Sequence, residues 1–192
     1  CGPASVAMLL RAMGRAAPPS AAAGGADAAG GASGAGRADV AGEAVWDEVL
    51  VLGASAAESA AELQAKALQS GLTLAELQVL LRGLGLNCEA ATAGSSTAPE
   101  GGGSDEACAP LLDSLRTDGF VLANYHMTTA GQAPFGGHFS PLAAYHARTR
   151  RFLVLDVWPD TEPAWLDADA LIAAMRAVDS ESGMPRGWLL VT

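Results

Sequence analysis

Apolar residues recur at intervals of three and four in the first half of the chain, the period of an amphipathic helix. Residues 1–14 predict a helix that begins at Cys1 and ends at Gly14. Pro3 suits its first turn, where a backbone N–H would have no helical partner, and glycine is common just past a helix end. The apolar positions of this segment are Val6, Leu9, Leu10 and Met13.

Further helices are predicted at about 44–52, 59–69 and 73–84 from the same spacing. Two of them begin with serine or threonine followed three residues later by glutamate, the pattern of a capping box. The pairs are Ser59 with Glu62 and Thr73 with Glu76. We therefore expect both helices to begin with reciprocal hydrogen bonds between side chain and backbone.

From residue 119 onward, short apolar and aromatic runs alternate with polar turns, which is typical of strands. Helices followed by such strands indicate an α+β fold, with an N-terminal helical part packed on an antiparallel sheet. Trp158 and Trp165 are expected to pack this sheet against the last helix. The predicted strands are 85–93, 119–127, 138–147, 151–158 and 186–192, and the remaining helices are 109–115 and 167–177.

Length and composition favour one domain spanning residues 1–192. An Ala/Gly-rich stretch at about 16–42 has too little side-chain area to pack against a core, so we expect a flexible surface insertion there. A second, polar loop is expected at about 92–106. Neither stretch marks a domain boundary.

Charge and cysteine usage exclude several classes of function. The 21 acidic and 11 basic residues give a net charge of −10, unlike the basic surface of a nucleic-acid-binding protein. No apolar stretch is long enough to span a bilayer, so we expect a soluble protein with no membrane partner. Three cysteines at irregular spacing do not form a disulfide framework, and they fit a reducing, cytoplasmic compartment.

Three residues carry candidate chemistry. Cys1 lies at a predicted helix N-terminus, where the helix dipole lowers a thiol pKa and favours the nucleophilic thiolate. His138 follows two glycines into a predicted strand, and Asp156 is the charged residue of the apolar run 152–158. Because a buried carboxylate needs a partner, we expect a hairpin with its turn near 148–151 to place Asp156 beside His138.

A cysteine on a helix, with a histidine and a carboxylate on later adjacent strands, is the arrangement of papain-like enzymes. The imidazole takes the thiol proton and later returns it to the leaving amine. The acidic residue orients the ring and stabilises the imidazolium. The layout therefore predicts an enzyme that transfers acyl groups through a cysteine.

The same segments resemble the phytochelatin synthase family, a papain-like group of enzymes that process glutathione. The resemblance implies that Cys1 is the nucleophile, His138 the general acid and base, and Asp156 the orienting residue. The matching segments are CGPASVAMLL at 1–10, ANYHM at 123–127, GGHFSPLAAYHA at 136–147, FLVLDVW at 152–158 and AMRAVDSESGMPRGWLLV at 174–191.

The resemblance also implies a reaction. Family members attack the carbonyl that joins cysteine to glycine in glutathione, release glycine and hold a γ-glutamylcysteinyl thioester. Transfer to a second glutathione or a growing chain gives phytochelatin for heavy-metal detoxification, and transfer to water gives γ-glutamylcysteine. Asp179 and Arg186 match positions that hold the ammonium and carboxylate of the γ-glutamyl end. Without the resemblance, a surface ion pair is the simpler interpretation of these two residues.

Glutathione and phytochelatin peptides are the implied partners, and a homodimer is left open. The resemblance implies no organic cofactor, and a heavy-metal ion such as Cd or Zn would arrive as its glutathione thiolate. The chain has no spaced metal-binding motif, so we expect no metal site formed by its own residues. The remaining cysteines and histidines are interpreted as structural, with Cys88 in a strand, Cys108 beside a loop, and His126 and His146 at strand ends.

The sequence departs from the family in two places. A glutamine a few residues before the nucleophile donates to the oxyanion in the family, and plant members continue into a cysteine-rich C-terminal region. The given sequence contains neither, so we interpret it as a fragment of the catalytic core that lacks upstream residues.

Other functions fit parts of the pattern. A papain-like cysteine peptidase would cleave ordinary α-linked peptides and would be indifferent to Asp179 and Arg186. A non-catalytic thiol protein would bind soft metals through its cysteines and histidines. An N-terminal-nucleophile hydrolase would use the amine of Cys1 as its base, but it would leave His138 and Asp156 without a purpose.

Overall fold

A single antiparallel sheet organises the protein in the computed structural model, which describes residues 1–15, 48–54, 56, 59–94, 104–117, 119–133, 136–158 and 161–192. The insertion predicted at 16–42 and residues 95–103 of the predicted polar loop lie outside this set. The described residues form six strands in the order β1-β6-β2-β3-β4-β5, and all neighbours are antiparallel. The strands are β1 Cys88–Thr92, β2 Phe120–His126, β3 Gly137–His146, β4 Arg151–Val154, β5 Ala164–Asp167 and β6 Gly187–Val191.

Six helices of the described residues cover the two faces of this sheet. The combination of helices with an antiparallel sheet confirms the predicted α+β class. The helices are α1 Gly2–Ala12, α2 Glu48–Ala54, α3 Ala60–Gln69, α4 Leu74–Gly83, α5 Ser104–Arg116 and α6 Ala168–Arg176.

The sheet separates two apolar cores. On one face, α1 packs on β3 and α4 packs on β1 and β6, while α2 packs against α1 in the same core. Helix α1 contributes the buried side chains of Val6, Leu9 and Leu10. On the other face, α5 and α6 pack against residues that include Tyr125 and Phe152. Because β2 is covered on both faces, its sequence is apolar at nearly every position rather than at alternate ones. The N-terminal helices thus pack on the sheet as predicted.

The helix ends show where local pattern is sufficient and where it fails. Thr73 accepts the Glu76 N–H at 3.3 Å, and Glu76 accepts the Thr73 N–H at 2.8 Å, which confirms that capping box. The capping box predicted at Ser59 and Glu62 is wrong, because Ser59 makes no side-chain cap. Its backbone, with φ −92° and ψ 13°, lacks the extended conformation that directs an N-cap side chain toward the helix.

Helix α5 begins at Ser104, five residues before the predicted start at 109. The extra turn buries Ala107 and Cys108, which belong to the core between the sheet and helices α5 and α6. The gain from burying these side chains explains why the turn is helical. The prediction of a loop to residue 106 is wrong at this end, and Cys108 lies in a helix rather than beside a loop.

The strand predicted at 151–158 ends at Val154, and the short strand β5 was not predicted. β5 extends the sheet at its edge, and its outward-facing Trp165 is 45% exposed, with its ring edge toward His146. Trp158 is 40% exposed in the loop after β4. The prediction that these two tryptophans pack the sheet against the last helix is therefore wrong.

Candidate active site

His138 lies at the start of β3, where the strand enters the interior. Its side chain is 1% exposed, and it lies opposite Tyr125 of β2 in the register of the sheet. The Tyr125 ring meets the imidazole edge-on, with 5.9 Å between centroids. A Cβ at the preceding residue, Gly137, would overlap the guanidinium of Arg186, so a larger residue there would displace that side chain. The glycine thus allows a cationic side chain to lie beside the backbone next to His138.

Asp156 approaches His138 from the loop that follows β4. Its Oδ1 lies 2.9 Å from His138 Nε2. The same oxygen accepts the backbone N–H of Val157 at 2.7 Å and of Trp158 at 3.2 Å. A carboxylate in this turn therefore fixes the loop and the histidine together. The structure brings the two residues together, although Asp156 lies beyond the strand in which it was predicted.

A register shift guides the chain to this position. The pairing of β3 with β4 is irregular between Leu142 and Ala144, a bulge in the ladder. Beyond the end of β4, Leu155 donates its N–H to the carbonyl of Pro141 at 2.9 Å. The loop therefore continues to run beside β3 after regular pairing has ended, and it carries Asp156 toward the start of that strand.

The surroundings of His138 favour its neutral form. Burial lowers the pKa of His138 below its usual value, and the hydrogen bond and negative charge of Asp156 act in the opposite direction. A neutral imidazole can accept a proton, which is what a general base has to do.

Trp158 contacts the second nitrogen of the same ring. Its indole N–H donates to His138 Nδ1 at 3.2 Å, and the planes of the two rings are nearly parallel, 14° apart. An indole N–H is a donor only, so Nδ1 is the acceptor and the proton of the neutral ring resides on Nε2, facing Asp156. This contact was not predicted from the sequence. The available signal was a tryptophan two residues after the candidate aspartate.

Cys1 is exposed at the N-cap position of α1, as the sequence predicted. The first turns of α1 pack against the start of β3. The hydroxyl of Ser5 donates to the carbonyl of Phe139 at 2.9 Å, and a Cβ at Gly2 would lie 3.6 Å from the Phe139 ring. The helix terminus and His138 therefore belong to the same end of β3. The role of Cys1 as nucleophile stays a prediction.

Asp179 and Arg186 form a buried pair beside this centre. Arg186 Nη2 donates to Asp179 Oδ1 at 3.1 Å, and Nη1 donates to Asn124 Oδ1 at 3.1 Å. The two charged side chains are only 12% and 9% exposed, so the alternative of a surface ion pair is wrong. Asn124 was not singled out from the sequence, since its partner lies 62 residues away.

A cavity of about 250 Å³ opens on this pair. Thr73 and Leu74 form one wall from the start of α4, and Met184 and Pro185 form another from the turn before β6. In the described part of the chain, Nε of Arg186 is buried with no hydrogen-bond partner. The cavity combines an apolar lining with an acid, an amide and a guanidinium, which suits a small zwitterionic ligand.

Comparison with known proteins assigns the family. Residues 45–188 match the family described as phytochelatin synthase. The chain belongs to the phytochelatin synthase family. The match includes the positions of His138, Asp156, Asp179 and Arg186, and Cys1 lies before it.

Three relatives of this phytochelatin synthase family member carry the name glutathione gamma-glutamylcysteinyltransferase. Number 3 from Lotus japonicus is 29% identical over 126 residues, or 64% of this chain and 24% of that protein. Number 1 from Triticum aestivum is 35% identical over 79 residues, which is 39% of this chain and 15% of that protein. The protein from Schizosaccharomyces pombe is 36% identical over 56 residues, which is 29% of this chain and 14% of that protein. The chain thus aligns with less than a quarter of each relative.

The other histidines and cysteines of this family member lie in separate local environments. His126 and His146 lie at strand ends, as predicted, each with Nδ1 bonded to a threonine hydroxyl three residues later. Cys88 is buried in β1, where burial raises its thiol pKa, and Cys108 is buried in α5. Within the described ranges, no group of three or more His, Cys, Asp or Glu residues could hold a metal ion. None of the helices described is both long and apolar enough to cross a membrane.

Proposed function

We propose that this protein is a papain-like catalytic domain that transfers the γ-glutamylcysteinyl group of glutathione through a thioester on Cys1. The observation that carries the proposal is the 2.9 Å contact between His138 Nε2 and Asp156, at the start of β3, against which the first turns of α1 pack. Membership of the phytochelatin synthase family supports the choice of substrate. The relatives named glutathione gamma-glutamylcysteinyltransferase support the choice of reaction.

The proposed reaction begins with transfer of the Cys1 thiol proton to His138 Nδ1. The sulfur then attacks the carbonyl carbon between cysteine and glycine, and the tetrahedral intermediate collapses as the C–N bond breaks. The imidazolium gives its proton to the departing amine, so free glycine leaves and a thioester remains. Asp156 stabilises the imidazolium in between, and the positive end of the α1 dipole favours the thiolate.

The second half of the reaction regenerates the thiol. The amine of a second glutathione, or a water molecule, attacks the thioester while His138 takes the proton of the attacking group. The protonated ring then returns that proton to the departing sulfur of Cys1. Transfer to the amine gives a phytochelatin peptide, and transfer to water gives γ-glutamylcysteine. A heavy-metal ion would enter as a substrate, bound by glutathione thiolates, and no organic cofactor is needed.

Asp179 and Arg186 would bind the γ-glutamyl end of glutathione in the adjoining cavity. Its α-ammonium matches the carboxylate of Asp179, and its α-carboxylate matches the guanidinium fork of Arg186. Without substrate, these two side chains neutralise each other at 3.1 Å. A ligand that carries both charges can replace that pairing without leaving a charge unpaired. This exchange favours a zwitterion over an ordinary peptide segment.

Glycine release from glutathione tests the proposal. The full-length protein that contains these 192 residues should release glycine, and Cys1→Ser in that protein should abolish the release. Cys108→Ser is the matched control, because that buried cysteine lies in α5 on the opposite face of the sheet from α1. No release by the wild type, or equal release by Cys1→Ser, would contradict the proposal. Cleavage of α-linked peptides that is unaffected by Arg186→Lys would instead support a peptidase.

A further inference from the structure

Both ring nitrogens of His138 are occupied in the substrate-free protein. Nε2 lies 2.9 Å from Asp156 Oδ1, and Nδ1 accepts the indole N–H of Trp158 at 3.2 Å. The imidazole and indole rings are nearly parallel, with 6.0 Å between centroids and 14° between planes. A neutral imidazole has a single acceptor nitrogen. The tryptophan therefore occupies the atom that the proposed reaction uses as its proton acceptor.

We propose that Trp158 is a gating residue, whose indole N–H holds His138 in the neutral Nε2–H form until substrate displaces it from Nδ1. The inference rests on the proposed function for the proton transfer from Cys1 to Nδ1. It adds a residue that controls when this transfer can occur. Trp158 acts through His138 and is a positioning residue rather than a catalytic one.

The hydrogen-bonding groups of the two rings determine which protonation state of His138 the indole contact favours. An imidazolium carries a proton on both nitrogens, so a protonated His138 cannot accept the indole N–H. The hydrogen bond consequently stabilises the neutral ring alone and acts in the same direction as burial, which lowers the pKa of His138. Loss of the indole contact should make protonation easier and favour the thiolate–imidazolium pair.

Other groups also act on the charge of this ring. Asp156, from the loop after β4, favours the imidazolium through its hydrogen bond and its negative charge. The guanidinium of Arg186 lies against the backbone of Gly137, next to His138. Tyr125 of β2 contributes no charge, because burial raises the pKa of its phenol to about 12. Trp158 differs from these groups in bonding to Nδ1 itself.

The anchoring of Trp158 allows its side chain to move without its backbone. The backbone N–H donates to Asp156 Oδ1 at 3.2 Å, and the carbonyl accepts the hydroxyl of Thr161 at 2.7 Å. The residue is nevertheless 40% exposed. Rotation of an exposed side chain is fast compared with enzyme turnover, so a ligand that enters beside His138 can replace the indole. Proton transfer would then depend on occupancy of the site, and the thiol would stay less reactive without substrate.

Trp158→Phe tests the gate, because phenylalanine keeps an aromatic ring and removes the donor. Trp165→Phe is the matched control, since Trp165 is 45% exposed and meets a different histidine, His146, edge-on. The chain has three histidines, so NMR titration can follow each imidazole separately. The rate at which iodoacetamide alkylates Cys1, followed by peptide mass mapping across pH, gives a second readout.

Trp158→Phe should raise the pKa of His138 by about one unit, which corresponds to about 1.4 kcal/mol. Alkylation of Cys1 near neutral pH should become roughly tenfold faster. Trp165→Phe should change neither quantity. In the wild type, ¹⁵N shifts should show the proton of neutral His138 on Nε2, and a proton on Nδ1 would overturn the proposal without any variant.

The two readouts separate the gate from the reaction. A His138 pKa that is unchanged or lower in Trp158→Phe overturns the gate even if glycine release depends on Cys1. If Trp158→Phe raises the pKa of His138 but the wild type releases no glycine, the effect of Trp158 on His138 is supported and the proposed reaction is refuted. An unchanged alkylation rate despite a raised pKa overturns the coupling to Cys1.

Discussion

The hydroxyl of Ser5 in α1 donates a 2.9 Å hydrogen bond to the carbonyl of Phe139 in β3, and both residues are buried. Phe139 directly follows His138, and Ser5 lies about one helical turn after Cys1. This bond holds the start of the cysteine-bearing helix against the strand that carries the histidine. The relative position of the two candidate catalytic groups therefore depends on a contact between residues 134 positions apart.

Ser5→Ala should weaken both stability and turnover. The substitution leaves the buried carbonyl of Phe139 without its partner, which costs about 1–3 kcal/mol of unfolding free energy. Urea denaturation measures the stability, and glycine release from glutathione measures turnover. We expect kcat to fall more than KM rises, because the helix terminus moves relative to His138. Ser70→Ala, at an exposed helix end, is the control, and equal effects of the two substitutions would contradict this account.

Adjacent glycines before His138 offer a second comparison. A Cβ at Gly137 would overlap the guanidinium of Arg186, whereas a Cβ at Gly136 would meet nothing within 4 Å. Gly137→Ala should therefore displace Arg186, raise the KM for glutathione and cost about 1–3 kcal/mol of stability. Gly136→Ala should leave both quantities near their wild-type values. Steady-state kinetics with urea denaturation would show the difference, and two indistinguishable variants would refute the packing argument.

Asp156→Asn should distinguish the orienting role of the Asp156 side chain from the effect of its negative charge on His138. Its amide oxygen can still accept the N–H groups of Val157 and Trp158, so the loop should keep its shape. The imidazolium of His138 loses its countercharge, and we expect kcat to fall about 10²–10⁴-fold. The control is Asp169→Asn, whose carboxylate is 60% exposed and pairs with Arg150. Near-normal turnover by Asp156→Asn would exclude the role of Asp156 in the reaction.

The buried His138 should make stability depend on pH. Because burial lowers its pKa in the folded state, the unfolded chain binds a proton first as pH falls below about 6.5. The contribution of this site to stability is therefore complete above the unfolded pKa and is lost as pH falls through the folded pKa. The difference in unfolding free energy between wild type and His138→Gln should shrink from pH 7.5 to pH 5. A constant or growing difference would mean that the histidine is already protonated in the fold.

Local patterns were sufficient for most of the elements. The apolar spacing of Val6, Leu9 and Leu10 predicts α1 because the face that these residues form is the face that packs on the sheet. Thr73 caps α4 as predicted, whereas the same pattern at Ser59 gives no cap, because backbone conformation decides whether the side chain can reach. Pattern identifies candidate ends of helices, and the surrounding structure selects among them.

The contacts around the candidate site were predictable only in part. Pairing of Asp156 with His138 follows from the cost of burying an unpaired carboxylate, which is a local argument. The position of Asp156 in a loop depends on the bulge in β3 and could not be predicted from its apolar neighbours. The contacts of Trp158 with His138, and of Arg186 with Gly137, join distant segments, and a single sequence carries no local signal for such pairs.

Intact-protein mass spectrometry after rapid mixing with glutathione tests the central claim most directly. The account predicts a γ-glutamylcysteinyl adduct that peptide mapping assigns to Cys1, that hydroxylamine removes, and that is absent in Cys1→Ser. Free glycine should appear in the same mixture, in an amount at least equal to the adduct. Glycine release without an adduct on Cys1, or an adduct that persists in Cys1→Ser, would contradict the account.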